Sequence, residues 1–142
     1  MRIADVLRNK GAEVATISPD ATVAELLNGL AEHNIGAMVV VESGAVAGIV
    51  SERDVVRKLH EHGPDVLGLS VGAIMTTVIA TCEPESSVND LTELMTENRV
   101  RHIPVLVAGR LVGIVSIGDV VKTRMDELKT EREQLQAYIT QG

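Results

Sequence analysis

Two aspartates in this chain, Asp54 and Asp119, each stand three residues after a serine, Ser51 and Ser116, and both serines close a Gly-Ile-Val run. An ionised carboxylate is a pure acceptor with room for several donors, and hydrogen bonds made to it are of the stronger, charge-assisted kind. Ser-x-x-Asp leading into a helix is also a capping box, in which the two side chains satisfy the first orphan amides. Ser51, Asp54, Ser116 and Asp119 are therefore candidates for holding a polar ligand, for capping a helix, or for both. Arg53 precedes Asp54, whereas Gly118 fills the matching place before Asp119, so sites built on the two aspartates should differ. Arg101 and His102 stand just ahead of an apolar run.

Catalytic constellations are missing. No Gly-rich loop ends in Gly-Lys-Ser/Thr, no His-Glu-x-x-His appears, and no Gly-x-Ser-x-Gly elbow is present. His60 and His62 flank Glu61, where a two-ligand surface site is conceivable, but solvated side chains are the simpler reading. Cys82 is the single cysteine. It excludes a disulfide framework or a multi-cysteine metal site and reads as an ordinary buried thiol. The expectation is a protein with no catalytic residues, no metal and no required cofactor.

The elements that must position these residues come from an internal repeat. Sliding the chain by 65 positions brings Pro19 onto Pro84, and the register holds without a gap from Ala15 to Arg57. Gly48, Ile49, Val50 and Ser51 then fall on Gly113, Ile114, Val115 and Ser116, and Asp54, Val55 and Val56 fall on Asp119, Val120 and Val121. A period this long means two copies of a supersecondary unit. In each copy a short β-rich segment (14–17; 78–82) leads through proline to a helix with apolar residues at helical spacing, Val23, Leu26, Leu27 and Leu30 or Val88, Leu91, Leu94 and Met95. Thr22 with Glu25, and Ser87 with Asp90, are start signals for those helices. Two apolar strands follow, 37–41 and 46–50 in the first copy, turning at Ser43 and Gly44 or at Ala108 and Gly109. A second helix begins at Glu52 and at Ile117. The order is βαββα twice, an α/β (α+β) fold. One copy alone, roughly 60 residues, would bury only a marginal core, so the two should pack into one body with a pseudo-twofold axis. The last helix continues through Met125, Leu128, Leu135, Tyr138 and Ile139, either lying on its own module or helping to form a homodimer.

Composition narrows the partners. With 142 residues and 45% hydrophobic content there is material for one core. Twenty acidic against thirteen basic residues give a net charge of −7, which repels nucleic-acid phosphates. Tyr138 is the only aromatic, so no platform exists for stacking successive bases. Charges interrupt the first ten residues, against a signal peptide, and no apolar run reaches the roughly eighteen residues of a membrane span. A soluble, cytoplasmic protein with neither nucleic acid nor membrane as partner is expected.

The tandem unit, each copy ending in Gly-hydrophobic-Val-Ser-x-x-Asp before a helix, resembles a CBS-domain pair, also called a Bateman module, of the stand-alone bacterial type. The likeness runs from about Ile3 to about Lys122 and leaves no room for an attached enzyme or transporter. It divides the chain into repeat one at 1–62, a connection at 63–70, repeat two at 71–123 and a helical extension at 124–142. The resemblance implies a regulatory, energy-sensing role in which the cleft between the copies holds up to two adenosyl ligands: AMP, ADP, ATP, NAD or S-adenosylmethionine. It makes Asp54 and Asp119 the acceptors of ribose hydroxyls, with Ser51 and Ser116 beside them. Arg53, Arg101 and His102 would gather phosphate around Asp54. Adenine would rest on the first strand of the opposite copy, Thr16 and Ile17 for the ligand on Asp119, Thr81 and Cys82 for the ligand on Asp54. Nucleotide would shift the arrangement of copies or protomers that an unknown protein target reads. The competing reading is a ligand-free dimeric adaptor whose serines and aspartates only cap helices.

Overall fold

A computed structural model of the chain describes all residues except Ala12, Val78, Ile79 and Gly142, with Gln141 described in its backbone alone. Helix α1 spans Ile3–Lys10, strand β1 Thr16–Ile17, helix α2 Val23–His33, strands β2 and β3 Ala37–Glu42 and Ala45–Ser51, and helix α3 Glu52–His62. A 3-10 turn at Gly63–Gly68 leads to helix α4 (Val71–Ile74) and strand β4 (Thr76–Thr77). Helix α5 (Val88–Asn98), strands β5 and β6 (His102–Val107 and Arg110–Ser116) and helix α6 (Ile117–Gln141) complete the chain.

Local chemistry sets these boundaries. Thr22 and Ser87 each accept the amide three residues on, starting α2 and α5. The two hairpins turn through Ser43 and Gly44 and through Ala108 and Gly109, all at positive φ. That is the backbone of a type I′ turn, whose twist matches the strands it joins. Strand β1 runs parallel to β2, which pairs antiparallel with β3, so the sheet order is β1-β2-β3-β4. The second copy repeats the pattern with β5 and β6 and a parallel bridge from Cys82 to Val105, the counterparts of Ile17 and Val40. The first-strand segment expected over 78–82 lies partly outside the described residues.

The copies are joined by an exchange of helices. Ile3 and Val6 of α1 pack with Val88, Leu91 and Met95 of the second copy. Val71 and Ile74 of α4 pack with Val23, Leu26 and Leu30 of the first. The backbone follows: the amides of Ile3 and Ala4 donate to Ser86 and Pro84, while those of Val71 and Gly72 donate to Ala21 and Pro19. Burying each helix against the opposite core at about 25 cal/mol per Å² of apolar surface makes two marginal halves one body.

Strand edges close where glycine lets them. A Cβ on Gly48 would lie 2.6 Å from the Thr76 carbonyl, and one on Gly113 would lie 2.7 Å from the Leu7 side chain. Helix α6 leaves the body early. Val120 and Thr123 are buried, whereas Met125, Leu128, Leu135, Tyr138 and Ile139 are exposed, so the far part of the helix does not lie on its own module.

Candidate functional site

Both aspartates face clefts between the copies. Cleft one, about 360 Å³, opens at the start of α3 and is closed by residues of the second copy, among them Thr76, Thr77, Ala80 and the turn Asn98 to His102. The Ser51 amide donates to Asp54 Oδ2 at 2.8 Å, and the Ser51 hydroxyl donates to the same oxygen at 3.1 Å. The Asp54 amide donates back to Ser51 Oγ at 3.3 Å, completing a reciprocal cap. From the second copy the Thr76 hydroxyl reaches Asp54 Oδ1 at 3.3 Å. These partners are neutral and in part rotatable hydroxyls, so the carboxylate keeps acceptor capacity toward the cleft.

Four arginines, Arg53, Arg57, Arg99 and Arg101, line the same cleft, against two acidic residues, Asp54 and Glu52. In a chain of net charge −7 this concentration of positive charge suits an anion, and arginine forks are shaped for phosphate or carboxylate. The repeat puts no comparable charge in cleft two. The counterparts of Arg53, Arg99 and Arg101 are Gly118, Asn34 and Gly36, and Lys122, the counterpart of Arg57, is not among the residues lining that cleft.

Cleft two, about 550 Å³, is lined by Ser116, Asp119 and Ile114 of the second copy and by Val14, Ala15, His33, Ile35, Gly36 and Ala37 of the first, with Lys10, Glu13 and His102. Ser116 caps α6 as Ser51 caps α3: its amide donates to Asp119 Oδ2 at 2.8 Å, and the Asp119 amide donates to Ser116 Oγ at 3.1 Å. Here the further donor is charged. Lys10 Nζ at the end of α1 donates to Asp119 Oδ2 at 2.7 Å and to the Ile114 carbonyl at 2.8 Å. Burial pushes the Asp119 carboxyl up, but the hydrogen bonds and charge of Lys10, with the Ser116 donors, outweigh it and hold the group below the usual aspartate value.

His102 lines both clefts. Burial lowers its pKa, and the neighbouring Lys10 and Arg101 charges lower it further against the opposing pull of Asp119 and Glu52. The imidazole is therefore neutral at pH 7 and becomes a donor from both nitrogens only when an anion arrives or the pH falls.

Seven of the residues singled out in the sequence thus reach a cleft: Ser51, Arg53, Asp54, Arg101 and His102 at the first, and Ser116 and Asp119, with His102 again, at the second. Thr16, Ile17, Thr81 and Cys82 are not among the lining residues. Ile17 packs into the first core, and Cys82 is buried with its thiol on the Pro104 carbonyl. Thr16 and Thr81 point to solvent. The chain reaches the clefts a residue or two earlier, at Ala15 in cleft two and Ala80 in cleft one. Burial pushes the Cys82 thiol up to about 12, which leaves it an inert core group. Among the described residues no cluster of three metal-ligating side chains occurs, and no helix is long and apolar enough to cross a membrane.

Two repeats joined face to face around paired Ser-x-x-Asp clefts define the class: a tandem βαββα module. The family model for the CBS domain matches residues 3–61 and again 71–126, and the chain belongs to that family. The chain is 40% identical to the mitochondrial CBS domain-containing protein CBSX3 of Arabidopsis thaliana, over 99% of this chain and 72% of that one. It superposes on the crystal structure of the CBS-domain containing protein ATU1752 from Agrobacterium tumefaciens with a TM-score of 0.83, at 43% identity over 87% of this chain and 99% of that one. The fold is also that of the CBS domain pair of protein MJ0100, solved with 5′-methylthioadenosine and S-adenosylmethionine (TM-score 0.79, 22% identity, 89% of this chain and 98% of that one).

Proposed function

We propose that this protein is a non-catalytic regulatory module that senses a phosphorylated adenosyl ligand, AMP, ADP or ATP ahead of NAD or S-adenosylmethionine, in cleft one. The observation that carries the reading is the meeting of the Asp54 carboxylate with four arginines in one crevice between the copies. Asp54 takes the ribose diol, the arginines and a protonated His102 take phosphate, and Ala80, Ile49 and Val100 give the apolar wall for a base. The cleft volume falls within the roughly 300–1,000 Å³ of small-molecule pockets. Because the cleft is built from both copies, a ligand there favours one of their relative orientations, which is the condition for a switch. A cytoplasmic setting and a protein target that reads the switch belong to the same proposal.

A homodimer is part of it. Val56 and Leu59 on α3 and Val121, Met125 and Leu128 on α6 are exposed, and apolar residues left bare along a helix are the kind of surface a partner covers. A second copy of the chain is the proposed occupant.

A thermal-shift series with adenosine, AMP, ADP, ATP, NAD and S-adenosylmethionine tests the ligand reading. Saturation at a hundredfold the dissociation constant adds about 2.7 kcal/mol, a rise of roughly 2 to 8 °C for a domain of this size. Asp54→Ala should remove the shift while costing about 0.5 to 2 kcal/mol as a lost cap. No shift with any compound would favour the adaptor in which these residues only cap helices, and binding intact in Asp54→Ala would refute the role given to that carboxylate.

A further inference from the structure

Cleft two is the roomier of the pair, about 550 Å³ against 360 Å³, so space does not set the two apart. What differs is the partner of the carboxylate. In cleft one the edge of β3 is closed by β4, whose Thr76 pairs with Ile49 and offers Asp54 a neutral hydroxyl. Among the described residues no strand pairs with β6 on that side. The place beside Ile114, the counterpart of Ile49, is taken by the Lys10 ammonium, which bridges the Ile114 carbonyl and Asp119 Oδ2. Both charges of this pair are largely withdrawn from solvent, at 32% and 23% exposure, where screening weakens it less than a surface pair.

We propose that Lys10 is a specificity-determining residue of cleft two, an internal occupant of the Asp119 carboxylate that a ribose diol must displace before it can bind. A hydroxyl competing for Asp119 Oδ2 exchanges a charge-assisted bond for a neutral one and leaves the ammonium with only a carbonyl. Removing one partner of a half-buried pair in this way is unfavourable. At cleft one the same diol meets only hydroxyls and amides. The remaining charged or titratable groups on cleft two, Glu13, His33 and His102, provide no arginine to draw phosphate in against this barrier. The two clefts therefore fill in order: cleft one takes nucleotide, and cleft two stays closed by the protein's own side chain. The proposal rests on the reading of cleft one as a nucleotide site and adds the control of its twin.

Isothermal titration with AMP separates the two ideas. The wild-type protein should take one AMP per chain, and Lys10→Met, which keeps the apolar stem at the end of α1, should take two. Lys10→Met/Asp119→Asn should return to one. In an Asp54→Asn background that silences cleft one, Lys10→Met should tighten the residual AMP binding at least about fivefold, the scale of an exposed ion pair or more. Circular dichroism of each variant confirms that α1 remains folded. Two equal sites in the wild type, or a Lys10→Met protein that still takes one, would overturn the role of Lys10 while leaving cleft one intact. No AMP bound by any of them would instead overturn the nucleotide reading on which it rests.

Discussion

A methyl group on Gly48 would meet the carbonyl oxygen of Thr76 at 2.6 Å and the Met75 sulfur at 2.9 Å. Backbone cannot turn aside as a side chain can, and it is this close approach that seats β4, and with it Thr76, against Asp54. At the equivalent Gly113 the obstacle is the end of Leu7, a side chain able to rotate. Gly48→Ala should therefore cost about 1 to 3 kcal/mol, in the range of overpacking elsewhere, and Gly113→Ala less. Urea denaturation of the two variants checks the order, and equal losses would show that the edge of β3 is softer than this geometry implies.

Arg99 ends α5 in the left-handed region, at φ 54°, where its counterpart Asn34 sits at φ 52°. Asparagine tolerates that backbone, but an arginine carries a cost of roughly 1 to 2 kcal/mol there. The strained turn places the guanidinium on cleft one. Arg99→Gly should raise stability by roughly 0.5 to 1 kcal/mol and weaken ATP about two- to fivefold while leaving adenosine unchanged. An equal loss for adenosine and ATP would deny Arg99 a phosphate role.

His102 gives both stability and binding a pH dependence. Its folded pKa lies below the ordinary 6.5, so between the two values the unfolded chain binds more protons and stability rises with pH. Stability contributed by the neutral ring is thus present at pH 7, declines as the pH falls through about 6.5 and levels off below the folded value. His102→Gln should flatten this part of the profile in denaturation series. A phosphate beside the ring favours its charged form, so ATP binding should take up a proton and tighten from about pH 7.5 to about pH 6, seen in calorimetry across buffers of different ionisation enthalpy. No proton uptake would place the phosphates away from His102.

The exposed residues on α3 and α6 commit the dimer to a surface. Met125→Glu/Leu128→Glu should give a folded monomer in sedimentation at micromolar concentration, where the unaltered chain should sediment as a dimer. A monomeric wild type, or a variant that still dimerises, would remove that face from the account.

Much of the architecture was legible because it repeats. The register that carries Ser51 and Asp54 onto Ser116 and Asp119 also locates the hairpin turns, since Ser43-Gly44 and Ala108-Gly109 are local chemistry. Helix exchange was not legible in the same way. Ile3 matches Val71 at an offset of 68, outside the ungapped register of 65, and which core a short helix covers is settled by packing between distant segments. The cleft showed the same division. Arg53, Arg101 and His102 adjoin recognisable motifs, and all three reach cleft one. Arg57 and Arg99 escaped notice, although setting Arg99 beside its counterpart Asn34 would have marked it as an arginine in a place suited to asparagine. Thr16 and Thr81 are turned away from the clefts that Ala15 and Ala80 line, because alternation along a strand sends adjacent residues to opposite faces, while Ile17 and Cys82 are drawn into the two cores. Lys10 meets Asp119 across 109 residues of chain, and no local pattern announces such a pair.

The most direct measurement is a crystal structure of the protein grown with ATP. The account predicts one nucleotide per chain in cleft one, its ribose hydroxyls on Asp54 and its phosphates among Arg53, Arg99 and Arg101. A nucleotide seated elsewhere, or a cleft one left without ligand at saturating ATP, would contradict it.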